Sequence, residues 1–199
     1  MDNRNNNNLN NYVLYLNFLN EKLAKFFESQ KPYIFCKKGC GKCCKNSQFP
    51  YSLTETVFLL EGAKKLDSET QIIVTDNINK VKLEKENFKG EVFEYDCPFL
   101  INNECSVYEY RGVICRSFGL MTLGPDEKPR IPFCCKEGGN YSNVVIDGDI
   151  NISSEKFKKL GVKEVPSAFH TNYKFLTDPD FEKMFGFKFG EVKPLIDWL

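Results

Sequence analysis

Histidine, charge of one sign and long apolar runs are what this 199-residue chain has least of. His170 is the only histidine, which excludes two-histidine zinc fingers, histidine-rich catalytic zinc sites and facial-triad iron sites. Lysine plus arginine and aspartate plus glutamate balance at 27 each, so we expect no binding to nucleic acid or to a membrane surface. No apolar run approaches the roughly 18 residues that span a bilayer.

We also expect no export signal, because no hydrophobic core follows Met1. We therefore expect a cytoplasmic protein, in which thiols stay reduced. Nine cysteines in that setting favour metal ligation over disulfides, and the odd number leaves at least one thiol out of any disulfide pairing.

Hydrophobic periodicity predicts helices in the first half of the chain. Residues 1–8 are rich in asparagine and predict a disordered tail. Apolar residues spaced three and four apart then predict a packing helix from Leu9 to Phe27. Ser52 and Glu55 form a capping box that begins a second helix, and Ser68 is the predicted N-cap of a third. The apolar residues of the third helix that we expect to face the core are Ile72, Ile73, Ile78 and Val81.

Short strands are predicted to follow the helices. The stretch 92–95 is strand-like, and Gly124-Pro125 and Asp147-Gly148 mark turns between apolar segments, as in hairpins. We found no internal repeat and no long linker. The sequence therefore predicts an α+β fold, a small single domain over residues 9–199, in which helices precede short antiparallel strands around a cysteine-rich metal site.

The densest chemical motif places Cys36, Cys40, Cys43 and Cys44 within nine residues. Gaps of two or three residues let the chain fold back so that sulfurs can reach one ion about 2.3 Å away. The interposed glycines permit positive φ and bring backbone N–H groups towards sulfur. Adjacent cysteines usually point apart, so we expect one member of each doublet to serve a different purpose.

Further candidate ligands lie downstream, and they are Cys97, Cys105, Cys115, Cys134 and Cys135. Nine thiols suffice for two four-thiolate sites with one left over, or for one cluster with several packing cysteines. The spacing leaves both arrangements open.

Arginine is scarce, yet two of the four arginines, Arg111 and Arg116, flank Cys115. Four thiolates around Zn²⁺, or around an oxidised four-iron cluster, leave about two net negative charges that cations and N–H dipoles must offset. A guanidinium can pair with a carboxylate, a backbone carbonyl or a thiolate. We expect Arg111, Arg116 and Tyr108 to lie beside the metal or to contact a substrate.

Two blocks of the chain resemble the YkgJ-type cysteine-cluster family, described as a zinc- or iron-chelating domain. The first, Cys36 to Cys44, is similar to the family's C-x₂₋₃-C-G-x-C-C motif. The second runs from Cys97-Pro98-Phe99-Leu100 to Cys115-Arg116-Ser117-Phe118, with Gly112 where the family usually has proline. Together the blocks define a family core of about residues 36–135, about half of the chain.

The resemblance implies a cysteine-ligated metal protein. We expect an iron-sulfur cluster, 4Fe-4S in preference to other types, over Zn²⁺, with a structural or redox role exercised through a protein or peptide partner. A related cysteine cluster in flagellin lysine N-methylases suggests an alternative, an iron-sulfur-dependent enzyme that modifies proteins or peptides. A third hypothesis is a redox-silent structural zinc module that supports a protein interaction.

Overall fold

The computed structural model describes residues 3–37, 39–146, 151–162 and 166–199. The α-helices in these ranges are α1 (Asn3–Ser29), α2 (Leu53–Ala63), α3 (Ser68–Asn87), α4 (Val113–Ser117), α5 (Ser154–Leu160), α6 (Tyr173–Leu176) and α7 (Pro179–Phe185). The strands are β1 (Pro50–Ser52), β2 (Leu100–Ile101), β3 (Glu104–Cys105), β4 (Thr122–Leu123), β5 (Pro129–Arg130) and β6 (Val192–Pro194). Short 3₁₀-helical turns cover Lys31–Tyr33, Lys42–Cys44, Tyr108–Tyr110, Phe133–Glu137 and Leu195–Asp197. The strands pair in antiparallel twos, β1–β6, β2–β3 and β4–β5, so the fold is α+β, as predicted.

Helix α1 confirms the predicted packing helix but begins earlier than expected. The tail that we predicted to be disordered lies largely in this helix, which starts at Asn3. Asn8 is fixed from both sides, since its amide donates to Thr54 Oγ1 at 2.9 Å and its carbonyl oxygen accepts from the Lys188 N–H at 2.7 Å. Asn11 donates to the Gly186 carbonyl at 2.8 Å. Tertiary partners for the amide side chains thus extend a helix that composition alone disfavours.

The capping box at the start of α2 is confirmed. Ser52 Oγ accepts from the Glu55 N–H at 3.2 Å, and Glu55 Oε2 accepts from the Ser52 N–H at 2.9 Å. Helix α3 is confirmed too, but its N-cap is Asp67 rather than Ser68, because the Asp67 carboxylate accepts from the Thr70 N–H at 2.9 Å.

The inward face predicted for α3 is partly wrong. Ile72 and Ile73 are 62% and 38% exposed, whereas Val74 and Val81 are buried. Ile78, which we also predicted to face the core, is partly buried against the same cluster as Val74 and Val81. These three residues are three or four positions apart and therefore share one face of the helix, whereas Ile72 and Ile73 lie off that face.

The strand predictions had mixed outcomes. The turn at Gly124-Pro125 joins β4 to β5, as predicted. The stretch 92–95 forms no named strand and contributes an isolated bridge between Tyr95 and Ser47. The turn predicted at Asp147-Gly148 lies outside the described residues. The pairing of β1 with β6 joins residues 50–52 to residues 192–194.

The buried side chains form clusters that position the cysteines. The first cluster packs α1 against Val113 and the aromatic pair Phe187 and Phe189. The residues of the second cluster are Phe49, Tyr51, Leu59, Val74, Val81, Tyr95, Phe99, Val107, Leu195 and Ile196, and Cys97, Cys105 and Cys115 pack against it. The third contains Cys135 with Tyr33, Met121, Tyr141, Val144 and Val145. In the described ranges no helix combines the length and the apolar character needed to cross a bilayer.

Candidate metal centre

Four thiols from four separate segments form what we call the four-thiol group: Cys43, Cys97, Cys105 and Cys115. Burial raises the pKa of Cys97, and the nearby thiols of the other three raise it further. Burial also raises the pKa of Cys115 to about 12, with contributions from Cys105 and Cys43. Because each thiol is within electrostatic reach of the others, the fold has gathered sulfur from both cysteine-rich blocks.

A backbone hydrogen bond joins the two blocks directly, since the Cys97 N–H donates to the Cys44 carbonyl at 2.8 Å. The turn before Cys43 also depends on close backbone approach. Gly41 has φ +60°, and a Cβ there would lie 3.2 Å from the backbone of Asn103. Glycine is therefore favoured at this position of the motif.

The doublet Cys43-Cys44 differs from the expectation that adjacent cysteines point apart. Its two Sγ atoms lie 3.8 Å apart, in the short 3₁₀ turn that begins at Lys42. A tetrahedral ion with metal–sulfur bonds of about 2.3 Å has ligand sulfurs about 3.8 Å apart. Both members of this doublet can therefore face one ion.

Hydrogen-bond donors are directed at the sulfurs of the four-thiol group. The Gly112 N–H donates to the Tyr51 hydroxyl at 3.0 Å, and that hydroxyl lies 3.4 Å from Cys115 Sγ. Because the hydroxyl oxygen is already an acceptor, its own hydrogen is free to point at sulfur. Burial raises the pKa of Cys97 and of Cys105, while backbone N–H groups two residues further on oppose the rise. Donors of this kind stabilise a thiolate or a metal-bound sulfur.

Arg111 supplies positive charge beside the same sulfurs. It acts against the increases in the pKa of Cys43, Cys105 and Cys115 that burial and neighbouring thiols cause. Its guanidinium carbon lies 3.6 Å from the centroid of the Tyr108 ring, which holds it in place. Its Nε is buried and has no hydrogen-bond partner. An unsatisfied cationic donor next to clustered thiols is what an anionic metal–thiolate centre would satisfy.

Among the described residues, no three histidine, cysteine, aspartate or glutamate side chains already converge as ligands of one ion. The donor chemistry nevertheless fits a thiophilic metal, because the group is sulfur alone. Side-chain rotation would have to bring the sulfurs to bonding distance.

Residues 35–136 match the model of the CxxCxxCC family, whose description reads "Putative zinc- or iron-chelating domain". The chain belongs to this family. The matched segment is about half of the chain and contains all nine cysteines. Neither a curated protein nor a solved structure matches the chain.

Arg116 bonds to backbone carbonyls and to α1 in this CxxCxxCC protein. Its donors bond to the carbonyls of Arg111 at 3.0 Å and Glu109 at 2.5 Å and to Asn20 Oδ1 at 3.1 Å. It therefore clamps the backbone that carries Arg111 and ties it to α1. Both arginines that flank Cys115 are within electrostatic reach of its sulfur, and Arg111 is the one with an unpaired donor.

The remaining cysteines are linked to one another and to Cys43 through their charges. Burial raises the pKa of Cys36, and Cys40 and Cys43 raise it further. Burial likewise raises the pKa of Cys134, with contributions from Cys135, Cys40 and Cys36. Cys135 also packs in the third cluster.

Sequence reasoning missed Tyr51 and Asn140, whose contacts join distant segments. Tyr51 contacts Cys115 across 64 positions, and Asn140 contacts Cys36 across 104. Neither residue stands in a local motif that would have drawn attention to it. The lone histidine, His170, lines an apolar cavity of about 380 Å³ beside α1, and no cysteine in the described ranges lines that cavity.

Proposed function

We propose that the four-thiol group holds an iron-sulfur cluster of the four-iron type, in a structural or redox role exercised through a partner protein. The observation that carries the proposal is the buried Arg111 Nε, which has no partner beside clustered thiols. Four thiolates match the ligand count of such a cluster. The sulfur-only donor set suits iron-sulfur chemistry and offers no imidazole or carboxylate for another kind of site.

Charge balance supports an anionic centre here. Four thiolates around an oxidised four-iron core carry about two net negative charges, which burial makes costly unless they are offset. Arg111 supplies one positive charge and an unused N–H group. The Tyr51 hydroxyl supplies a further donor at Cys115.

A bound cluster would supply one-electron transfer, and the chain's own residues would tune it. Hydrogen bonds to the sulfurs and a nearby cation both favour the reduced, more negative state. Tyr51, Arg111 and the backbone around Cys97 and Cys105 are the groups placed to do this. The buried aromatic residues of the second cluster, Tyr95 and Phe99 among them, would limit access of water.

A second candidate is a structural zinc site, and the doublet favours it. The 3.8 Å separation of Cys43 Sγ and Cys44 Sγ is the edge of a tetrahedral zinc–thiolate site. In that case the metal would stabilise the fold and bind a partner without redox chemistry.

Anaerobic purification and metal analysis distinguish the two. We expect brown protein with broad visible absorption that dithionite bleaches, and with iron and sulfide in matching amounts. Cys97→Ser and Cys115→Ser should each abolish that absorption, whereas Cys135→Ser, outside the group, should keep it. If the protein stays colourless after iron-sulfur reconstitution and contains stoichiometric zinc, the zinc site is the correct assignment and the cluster is not.

A further inference from the structure

We propose that the apolar cavity beside α1 is a binding site for a small aromatic molecule that carries one carboxylate. We call it the α1 cavity, and its volume of about 380 Å³ lies at the small end of ligand pockets in proteins. Its lining residues come from α1 and from residues 168–181, so they lie outside the matched segment 35–136. All nine cysteines lie elsewhere in the described part of the chain, so the proposal does not rest on metal binding.

Aromatic rings form much of the wall of this cavity. The phenylalanine and tyrosine residues that line it are Tyr15, Phe18, Phe26, Phe169, Phe175 and Phe181. The rings of Phe26 and Phe169 stack with their centroids 4.2 Å apart, and those of Phe175 and Phe181 meet edge to face at 6.2 Å. Aromatic rings favour these two arrangements, so a planar ring in the cavity can continue both kinds of contact.

Hydrogen bonds hold the two sides of the α1 cavity in place. The Tyr15 hydroxyl on α1 donates to the Leu176 carbonyl of α6 at 2.5 Å. The Leu123 N–H of β4 donates to the Phe169 carbonyl at 2.8 Å. Asn172 Oδ1 accepts from an N–H at the start of α6, and the Asn172 amide donates to the Leu123 carbonyl at 2.9 Å. Because both sides are attached to the fold in this way, the cavity is formed before any ligand binds.

The charges around the α1 cavity favour an anion. Lys22 and His170 are the basic residues that line it, and none of the described lining residues is acidic. Lys22 Nζ lies 5.3 Å from the centroid of the Phe18 ring, and within the described ranges it has no carboxylate partner. Glu127 lies 3.9 Å from His170 Nε2 but does not line the cavity. A carboxylate on a bound ring can therefore pair with Lys22, whereas an amine would meet a like charge.

The volume of the α1 cavity limits the size of the ligand. An apolar cavity of about 150 Å³ is enough to hold benzene. At about 380 Å³ the α1 cavity has room for two fused rings and a carboxylate. The buried side chains of Leu19, Leu23 and Leu176 also line it, and they offer apolar contacts to the rings. We therefore expect a carboxylate of the size of a naphthalene or an indole derivative.

Isothermal titration calorimetry of the full-length protein with 2-naphthoate, naphthalene-2-carboxamide and decanoate tests the proposal. We expect 2-naphthoate to bind one molecule per chain and more tightly than the other two, since the amide lacks the charge and decanoate lacks the rings. Lys22→Gln should weaken binding of 2-naphthoate by about three- to tenfold and leave binding of the amide unchanged. Lys25→Gln is the matched control, because Lys25 is exposed on α1 but does not line the cavity, and it should bind like the wild type.

The aromatic wall has its own readout. Phe175→Ala removes a lining ring that is 42% exposed, so the fold should persist while binding of 2-naphthoate weakens by about fivefold or more. Phe88→Ala removes a ring that is 41% exposed at the end of α3, and it should leave binding unchanged, with circular dichroism as the check on folding.

Four results would each overturn the proposal. They are no saturable binding of 2-naphthoate up to about 1 mM, equal binding of 2-naphthoate and its amide, tighter binding of decanoate, and equal effects of Lys22→Gln and Lys25→Gln. None of these measurements depends on metal content or on iron-sulfur absorption, so the proposed function stands or fails separately.

Discussion

At the scale of single residues, the cysteine centre depends on side chains that are not cysteines. Arg111 lies beside the four-thiol group with an unused donor, and Tyr108 stacks on its guanidinium at 3.6 Å. Tyr51 connects the Gly112 N–H to the Cys115 sulfur. These contacts are directional, so they can be removed one at a time without removing a ligand.

Replacing Arg111 by Gln should weaken the metal centre while the fold persists. The variant loses the cation that offsets thiolate charge, and changes to groups behind metal ligands typically cost about 10- to 100-fold in affinity. Metal loss to a competing chelator should accelerate accordingly. Arg130→Gln removes a guanidinium whose ion pair with Asp126 is exposed, and it should retain metal like the wild type. Equal loss from both variants would contradict the role of Arg111.

Tyr51→Phe should lower the free energy of unfolding by about 1–2 kcal/mol, because it leaves the buried Gly112 N–H without an acceptor. It should also speed metal release, since the Cys115 sulfur loses a donor. The measurements are urea denaturation and chelator-driven release. Tyr110→Phe is the control, because the Tyr110 hydroxyl bonds only to the exposed Lys65 among the hydrogen bonds described, and its effect should be within about 0.5 kcal/mol. A larger effect at Tyr110 than at Tyr51 would count against this assignment.

At the scale of elements, Glu55 joins the starts of two helices. It completes the capping box of α2, and its Oε1 accepts from the N–H of Val113, the first residue of α4, at 2.9 Å. Its Oε2 also accepts from the Tyr173 hydroxyl at 2.6 Å. Helix α4 carries Cys115, so the cap of α2 helps to fix the position of a ligand.

The stability that Glu55 contributes should depend on pH. Burial raises the pKa of its carboxyl, against the hydrogen bonds donated by Tyr173, Ser52 and Val113. Because the folded pKa exceeds the unfolded value, protonation of Glu55 is easier in the folded protein than in the unfolded chain. The stabilisation that Glu55 provides is therefore complete below about pH 4.3, the ordinary pKa of a glutamate. It declines as the pH rises through the pKa of the folded state.

Glu55→Gln removes this titration. The destabilisation relative to the wild type should be largest at acid pH and should shrink as the pH rises, when urea unfolding is measured across that window. The other ionisable groups whose charges act in this region are Tyr12, Tyr15 and Tyr173, and burial raises the pKa of each well above the window. Thr56→Val, which removes a buried hydrogen bond of α2 but no ionisable group, is the control and should give a difference that does not vary with pH. If the destabilisation of Glu55→Gln relative to the wild type instead grew with pH, the pKa of Glu55 would be lowered by folding and this prediction would be wrong.

At the scale of the whole molecule, segments outside the family match support the centre. Strand β6 pairs with β1, and Trp198 Nε1 donates to the Tyr51 carbonyl at 2.9 Å. The Leu195 N–H donates to the Phe49 carbonyl at 2.8 Å. The end of the chain thereby holds the strand whose tyrosine contacts Cys115. The metal content should therefore depend on how well this end of the chain packs. In such centres the free energy of metal binding also contributes to the free energy of folding.

Leu195→Ala should destabilise the protein by about 2–5 kcal/mol, since Leu195 is 1% exposed in the second cluster. We expect a lower melting temperature and lower metal content in the same variant. Val192→Ala, in the same segment but 47% exposed, should change stability by less than about 0.5 kcal/mol. Thermal unfolding with and without chelator measures both effects. Unchanged metal content in destabilised Leu195→Ala would separate the centre from this end of the chain.

The sequence alone determined the features that depend on near neighbours or on residue type. The capping box of Ser52 and Glu55, the apolar face of α1 and the sulfur-only ligand set are of this kind, because helix periodicity, caps and donor chemistry act within a few residues. The order of the cysteine blocks was also enough to reveal the family.

Tertiary structure alone decided which thiols from the two blocks lie near one another. Cys43 of the first block comes within electrostatic reach of Cys97, Cys105 and Cys115 of the second. It likewise decided that Asn8 is helical, that Tyr51 reaches Cys115 and that Asn140 fixes the Cys36 loop. The physical reason is that the contacts of Asn8 with Thr54, of Tyr51 with Cys115 and of Asn140 with Cys36 join residues 46 or more positions apart, so their energy comes from the packed core and not from local sequence.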